Sequence, residues 1–295
     1  MESCADKVVI TCALTGALAN RKQCAAVPYT PVEIAEEARR AYEAGAAAVH
    51  IHARTDDGFP TFDPAVFGRI KEEVRARCPI IVNFSTGSLD EDTELQERMI
   101  REARPEVAAL NMGSMNYAKY SRRRKGFVFD MVFPNPFSKI QVLLKAMNEA
   151  GVRPELECFD SGHSHSTWPL VDMGLLKPPL QFSFILNVLG GMPPSVESLQ
   201  LQSKIIPAGA HWEVIGISHC QWRMVMAALV LGGNIRVGLE DHFYLPCGTM
   251  ASSNGDLVAQ AATLARAAGR EPASPDEARA LLGLSSIELF EGAAN

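Results

Sequence analysis

Short apolar, β-branched runs recur along the chain, separated by segments whose apolar residues follow a helical spacing. The runs cover Val8–Thr15, Ala47–Arg54, Pro79–Thr86, Val107–Gly113, Arg153–Phe159, Leu180–Val188, Trp212–Ser218 and Asn234–Glu240. Each is of strand length, and near-continuous apolar runs suit strands buried on both faces. The segments between them carry helix-start chemistry. Thr30-Pro31-Val32-Glu33 supplies an N-cap, a proline at the first helical position and a glutamate at the third; Ile34–Tyr42 then mixes apolar and charged positions until Gly45 stops the helix. Ser274-Pro275-Asp276-Glu277 repeats that chemistry before Ala278–Leu282. Strands alternating with helices predict parallel pairing through right-handed crossovers.

Eight such units in 295 residues predict an α/β fold, a (β/α)8 TIM barrel forming a single domain over residues 1–295. Residues 269–295 read as a terminal helical extension used in oligomer packing. A doubly wound open sheet is the structural alternative. When it binds a dinucleotide, such a sheet usually carries a Gly-rich turn after its first strand, and Thr15-Gly16-Ala17-Leu18-Ala19-Asn20 lacks that spacing.

Composition narrows the function. Apolar residues make up 47% and charged residues 21%, with a net charge of -6, which argues against general nucleic-acid binding. Arg122-Arg123-Arg124-Lys125 is a local exception, either a solvated loop or an anion site. The seven cysteines are odd in number, scattered and without a Cys-x-x-Cys pair, which points to buried thiols in a reducing compartment. The N-terminus lacks the basic and apolar regions of a signal peptide, and Met224–Leu231 is too short to span a bilayer. A cytoplasmic protein without membrane attachment is expected.

Barrel enzymes place their chemistry at the C-terminal ends of the strands, which turns scattered polar residues into one ring. His50 and His52, two apart on a strand, project from one side and could hold a metal ion or form a hydrogen-bonded polar pair. Asn83 and Ser85, Asn111, and the carboxylates of Glu155 and Glu157 follow on the next strands. On the last strand Ile235, Val237 and Leu239 face outward, so Arg236, Gly238 and Glu240 point inward, the glycine leaving room between the two charges. Inward charges are expensive unless paired or bound to something. The pair is either a salt bridge that ties the barrel shut, or Glu240 is a third ligand beside the two histidines. Two His and one carboxylate leave a position open, as catalytic metal sites do. His163, His165 and His242 read as exposed loop residues or substrate contacts. His219 is a possible ligand contact, and His211 receives no role.

Together these residues resemble the β-keto acid cleavage enzymes. The similarity covers nearly the whole chain and rests on Thr11-Cys-Ala-Leu-Thr-Gly16, Pro28-Tyr-Thr-Pro31, His50-Ile-His-Ala-Arg54, Ser85-Thr-Gly87, Leu110-Asn111, Pro154-Glu-Leu-Glu157, Gly190-Gly-Met192 and Gly232-Gly-Asn-Ile-Arg-Val-Gly-Leu-Glu-Asp241. The resemblance implies a zinc-dependent barrel, usually a homotetramer, that converts a β-keto acid and acetyl-CoA into acetoacetate and a new acyl-CoA. It implies that His50, His52 and Glu240 bind Zn2+, that Arg236 and Asp241 generate the carbanion, and that Ser85 and Glu157 hold the substrate. Two departures bear on substrate choice. The member acting on an amino-substituted substrate has a glutamate in Thr-Gly-Ala-Glu where this chain has Leu18, and a threonine where it has Ala109. With Asn111, these positions are expected to contact substrate, whose tail should be neutral or apolar. A metal-dependent hydrolase or aldolase working without CoA, and a non-catalytic binding barrel, are the competing functions.

Overall fold

A computed structural model describes residues 6–90 and 92–284. The strands are β1 (Asp6–Val8), β2 (Ile10–Ala13), β3 (Ala48–Ile51), β4 (Ile81–Phe84), β5 (Val107–Asn111), β6 (Met115–Ser121), β7 (Gly126–Phe133), β8 (Arg153–Cys158), β9 (Gln181–Leu186), β10 (His211–Gly216), β11 (Asn234–Val237) and β12 (Arg270–Pro272). The helices are α1 (Pro31–Glu43), α2 (Pro64–Arg75), α3 (Glu94–Ala103), α4 (Phe137–Ala150), α5 (Ser161–His165), α6 (Trp168–Asp172), α7 (Val196–Ile205), α8 (Gln221–Val230), α9 (Asn254–Ala267) and α10 (Pro275–Leu282). Eight parallel strands close into a barrel in the order β10-β11-β2-β3-β4-β5-β8-β9, so each of the eight expected runs supplies one stave. Both capping boxes form, at Thr30 with Glu33 and at Ser274 with Glu277.

Three features differ from expectation. The first run splits: β1 pairs in parallel with β12, while β2 enters the barrel. The 269–295 extension is part strand, and α10 packs one face against the barrel. Its Ala278 and Leu282 are buried with Val9, Ala48, Ile81 and Val107, capping the barrel floor, and Arg279 donates to Glu106 (2.7 Å) and to the Pro79 carbonyl (2.7 Å). The remainder of that segment, 285–295, lies outside the described residues. Between β5 and α4 stands an antiparallel hairpin, β6–β7, which the hydrophobic pattern does not announce. Its turn holds Arg122–Lys125, all exposed.

The barrel wall sorts its side chains by strand alternation. Val49, Ile51, Val82, Phe84, Leu110, Leu156, Phe182, Val214, Ile235 and Val237 face the helices. The inward positions form a polar layer above the apolar floor. Thr11 Oγ1 donates to Glu213 Oε2 (2.7 Å); Ser183 Oγ lies 2.5 Å from Glu155 Oε1 and 3.1 Å from Glu213 Oε1; Asn83 Nδ2 donates to Glu155 Oε2. One hydroxyl hydrogen cannot serve two carboxylates, so a carboxyl proton completes this network. Burial and then the neighbouring Glu155 push Glu213 well above the usual carboxylate range, making it the natural holder of that proton.

Candidate metal centre and active site

Above this layer the strand ends converge. His50 projects inward from β3, 1% exposed, and His52 lies one step past the strand end. Their rings are 5.3 Å apart, centroid to centroid. Glu240 arrives from the turn after β11. There Gly238, at φ +151, lets the backbone pass so close to Ala13 that a Cβ would overlap the Ala13 carbonyl. The glycine therefore admits the neighbouring strand rather than spacing Arg236 from Glu240, which is a correction to the sequence reading. The turn carries Glu240 against the histidines, with His52 Nε2 3.4 Å from Oε1 and His50 Nε2 3.9 Å from Oε2. One ligand atom from each of the three lies within 4.8 Å of the others.

The chemistry of this donor set fits a divalent cation. Both His50 nitrogens and Glu240 Oε2 are buried without a hydrogen-bond partner, an expensive state if nothing fills the space between them. Burial first, then Arg236, holds the His50 imidazole well below its usual pKa, so it is the neutral, ligating form. Burial alone would raise the Glu240 carboxyl, but Arg236 and the two imidazoles hold it well below the usual range and ionised. The His50 ring turns Nδ1 toward Glu155 Oε2 at 3.9 Å, beyond hydrogen-bond reach, and Nε2 toward Glu240. Arg236 is a buried permanent cation facing Glu157, Glu240 and Asp241.

Arg236 is paired as well, so the salt bridge of the alternative reading forms beside the histidines. Nε and Nη2 donate to the two Asp241 oxygens (3.0 and 3.0 Å), Nη2 also reaches Glu240 Oε1 (2.8 Å), and Nη1 lies 3.7 Å from Glu157 without a hydrogen bond. Burial pushes Asp241 up to about 6 against the pull of Arg236. Burial and Glu155 push Glu157 up to about 8.

Ser85 and Asn111 join the site from β4 and β5, 2% and 4% exposed, and Asn111 Oδ1 is unpartnered. Ala109 sits one inward position deeper than Asn111, paired in register with Glu155. Leu18 stands on the rim, 62% exposed, in a loop whose Gly16 abuts the Glu240 side chain. Arg54 pins that loop by donating to the carbonyls of Gly16 and Ala19. His163 corrects the sequence reading: it is buried in α5, packs on Gly113 and accepts the Phe159 N–H at Nδ1 (3.3 Å). His165 is exposed, and His242 is half-buried beside Tyr244.

Sequence reasoning missed three parts of the site. Glu213 and Ser183 support the floor beneath His50, and simple strand alternation from Trp212 and Phe182 would have found them. Tyr117 comes from the unannounced hairpin. It packs on Phe129, Phe133 and Phe159, and burial followed by the charges of Glu240, Asp241 and Glu157 raises its pKa.

Known proteins resemble the chain over nearly its whole length. The chain is 39% identical to the 3-keto-5-aminohexanoate cleavage enzyme of Fusobacterium nucleatum, over 95% of this chain and 98% of that one. It is 35% identical to the 3,5-dioxohexanoate:acetyl-CoA acetone transferase of Paraburkholderia graminis, over 98% and 97%. The binary complex of ObcA with oxaloacetate shares the fold at a TM-score of 0.71 and 21% identity, covering 88% of this chain and 67% of that one. The family profile described as beta-keto acid cleavage enzyme matches residues 7–284, and the chain belongs to that enzyme family.

Proposed function

We propose that this protein is a zinc-dependent acyltransferase that converts a β-keto acid and acetyl-CoA into acetoacetate and a new acyl-CoA, acting on a neutral or apolar short-chain substrate. The observation that carries this reading is the convergence of His50, His52 and Glu240, with both His50 nitrogens and Glu240 Oε2 unpartnered, beside the Arg236–Asp241 pair. Zinc held by those three residues would supply Lewis acidity toward the keto and carboxylate oxygens of the substrate. Asp241, raised to about 6, is matched to accept the C2 proton near neutrality. To do so it gives up one of its two Arg236 bonds. Arg236 keeps Nη1 free for a substrate oxygen and balances the charge that develops. Ser85 and Asn111 offer a hydroxyl and an amide on the opposite side of the mouth.

The C2 carbanion attacks the acetyl thioester and releases CoA thiolate. The thiolate then attacks the original ketone, and cleavage of the C2–C3 bond gives the new thioester and a carbanion that takes the proton back from Asp241 to become acetoacetate. One acyl group has moved to CoA and one from it, so atoms and charge balance. Leu18 bears on the substrate because a leucine at the rim offers an ammonium group no partner. The two relatives differ in the same respect: one is named for an aminated keto acid and the other for a diketo acid.

The test is a panel of β-keto acids assayed for acetoacetate with and without acetyl-CoA, alongside metal analysis. The native protein should hold about one zinc per chain, and the His50→Ala/His52→Ala variant should hold none. Unchanged zinc in that variant sinks the site, and turnover without acetyl-CoA replaces the transferase with an aldolase or hydrolase. A homotetrameric, cytoplasmic enzyme belongs to the same reading and is checked by light scattering and fractionation. No helix among the described residues is long and apolar enough to cross a membrane.

A further inference from the structure

The β6–β7 hairpin stands over the barrel mouth with its base buried and its tip in solvent. Met115 and Phe133, paired across its base, pack with Phe159, Ile185 and Ile215 at the strand ends. Further out, the Ala118 N–H donates to the Leu189 carbonyl (3.4 Å), and Gly190 admits the Asn116 backbone. Tyr117 lies near enough to Glu240, Asp241 and Glu157 to feel their charge. The hairpin therefore runs outward from the reacting centre.

We propose that the hairpin tip binds the nucleotide end of acetyl-CoA, with the phosphates on Arg122, Arg123, Arg124 and Lys125 and the adenine against Tyr120 and Phe127. The proposal rests on the transferase reading above. Length supports it. From Tyr117 to Arg122 is five residues of extended chain, about 15 Å at strand rise. The pantetheine arm between a thioester and its diphosphate is a flexible chain of comparable reach. A thioester seated beside Asp241 thus carries its phosphates to the turn.

Charge supports it as well. Four consecutive cations are exposed at the tip of a chain with net charge -6, and none of them has an ion pair among the described residues. Asp130, the hairpin's own acid, is paired with Ala118, well below the turn. The turn is shaped locally: Ser121 Oγ accepts the Arg124 N–H (3.2 Å), and Lys125 adopts φ +48. Guanidinium groups recognise phosphate oxygens through paired hydrogen bonds.

The aromatic residues complete the ligand chemistry. Tyr120 and Phe127 face each other across the strands with ring centroids 5.7 Å apart, and remain 47% and 61% exposed. They serve no core, and an exposed ring pair beside phosphate-binding cations is what a stacked base uses.

The test compares native holoenzyme with an Arg122→Gln/Arg123→Gln/Arg124→Gln/Lys125→Gln variant, using acetyl-CoA and acetyl-pantetheine, which lacks the nucleotide. KM for acetyl-CoA should rise roughly tenfold in the variant, while KM for acetyl-pantetheine is the same in both proteins. Added salt should raise the native KM for acetyl-CoA and barely move that of the variant. An unchanged KM for acetyl-CoA overturns the proposal. So does a joint shift of both thioester KM values with a change in oligomeric mass, which would make the tip a subunit contact. Calorimetric titration with CoA keeps the two readings apart. Tight binding to native and weak binding to variant protein supports the tip even if turnover proves not to be acyl transfer. A native protein that binds no CoA overturns both.

Discussion

Replacing Arg236 by alanine should destabilise the barrel in a way that depends on pH. The guanidinium is 2% exposed and serves Asp241 twice, Glu240 once and Glu157 at longer range. Removing one partner of a buried ion pair costs about 3–5 kcal/mol, because the other charges stay behind. At roughly 2–4 °C per kcal/mol for a chain of this size class, that is on the order of 10 °C in Tm. The carboxylates can escape part of the cost by taking up protons. Burial has already raised Glu157 to about 8 and Asp241 to about 6, above the ordinary values they regain on unfolding. The folded protein therefore holds protons that the unfolded chain has released, and its stability falls as pH rises through 6 and then 8. Without Arg236 both folded values move higher still, and the fall extends further. The loss should be smaller near pH 5 than near pH 8.5, where more of the stranded carboxylate charge is ionised. Thermal unfolding of metal-stripped native and variant protein, followed by circular dichroism at both pH values, measures it. An equal loss at the two pH values would show that lost packing, not stranded charge, sets the cost.

Three further substitutions probe separate parts of the site. Asp241→Asn should lower the turnover of acetyl-CoA-dependent cleavage by roughly a hundredfold or more, since an amide cannot accept the C2 proton; retained zinc with near-native rates would reduce Asp241 to a structural partner of Arg236. Leu18→Glu should shift kcat/KM toward 3-keto-5-aminohexanoate by roughly tenfold or more, because one charge-assisted hydrogen bond is worth about 1.5–3 kcal/mol; a native preference for the aminated substrate would place its ammonium partner elsewhere, with Glu157 the candidate. Gly238→Ala should lower the urea midpoint by an amount worth about 1–3 kcal/mol or more, the cost of forcing an L-residue into this backbone region, compounded by overlap with Ala13; an unchanged midpoint would mean that the β2–β11 seam can shift.

The barrel was legible because burial on both faces writes itself into sequence. Runs such as Ile80–Phe84 and Asn234–Leu239 hold apolar residues toward the helices, and what interrupts them is chemistry. The inward register that exposes Arg236 also points to Glu213 and Ser183, yet a single acid in a strand reads as noise until its neighbours are known to close a ring. The hairpin left no such signature. Tyr120, Phe127, Val128 and Val132 are exposed, so no one-sided burial enforces a strict alternation there. Tyr117 was lost with it. The burial of His163 is not legible in the sequence because it comes in part from Gly113, fifty residues away. Gly238 was read correctly as necessary, but the neighbour that requires it belongs to the first barrel strand.

The position of the ligand set across the ring carries a consequence for assembly. His50 and His52 lie on or just past β3, Glu240 follows β11, and β2 stands between those two strands. The cluster thus straddles the seam where the chain's last barrel strand meets its first. A chain emerging from the ribosome presents its two histidines early and lacks their acidic partner until nearly all of the barrel sequence has been made. No fragment ending before β11 can complete the donor set, however well its helices and earlier strands condense. Closing the ring and completing this donor cluster are a single long-range event in folding, of the kind that is slow because its contacts lie far apart along the chain.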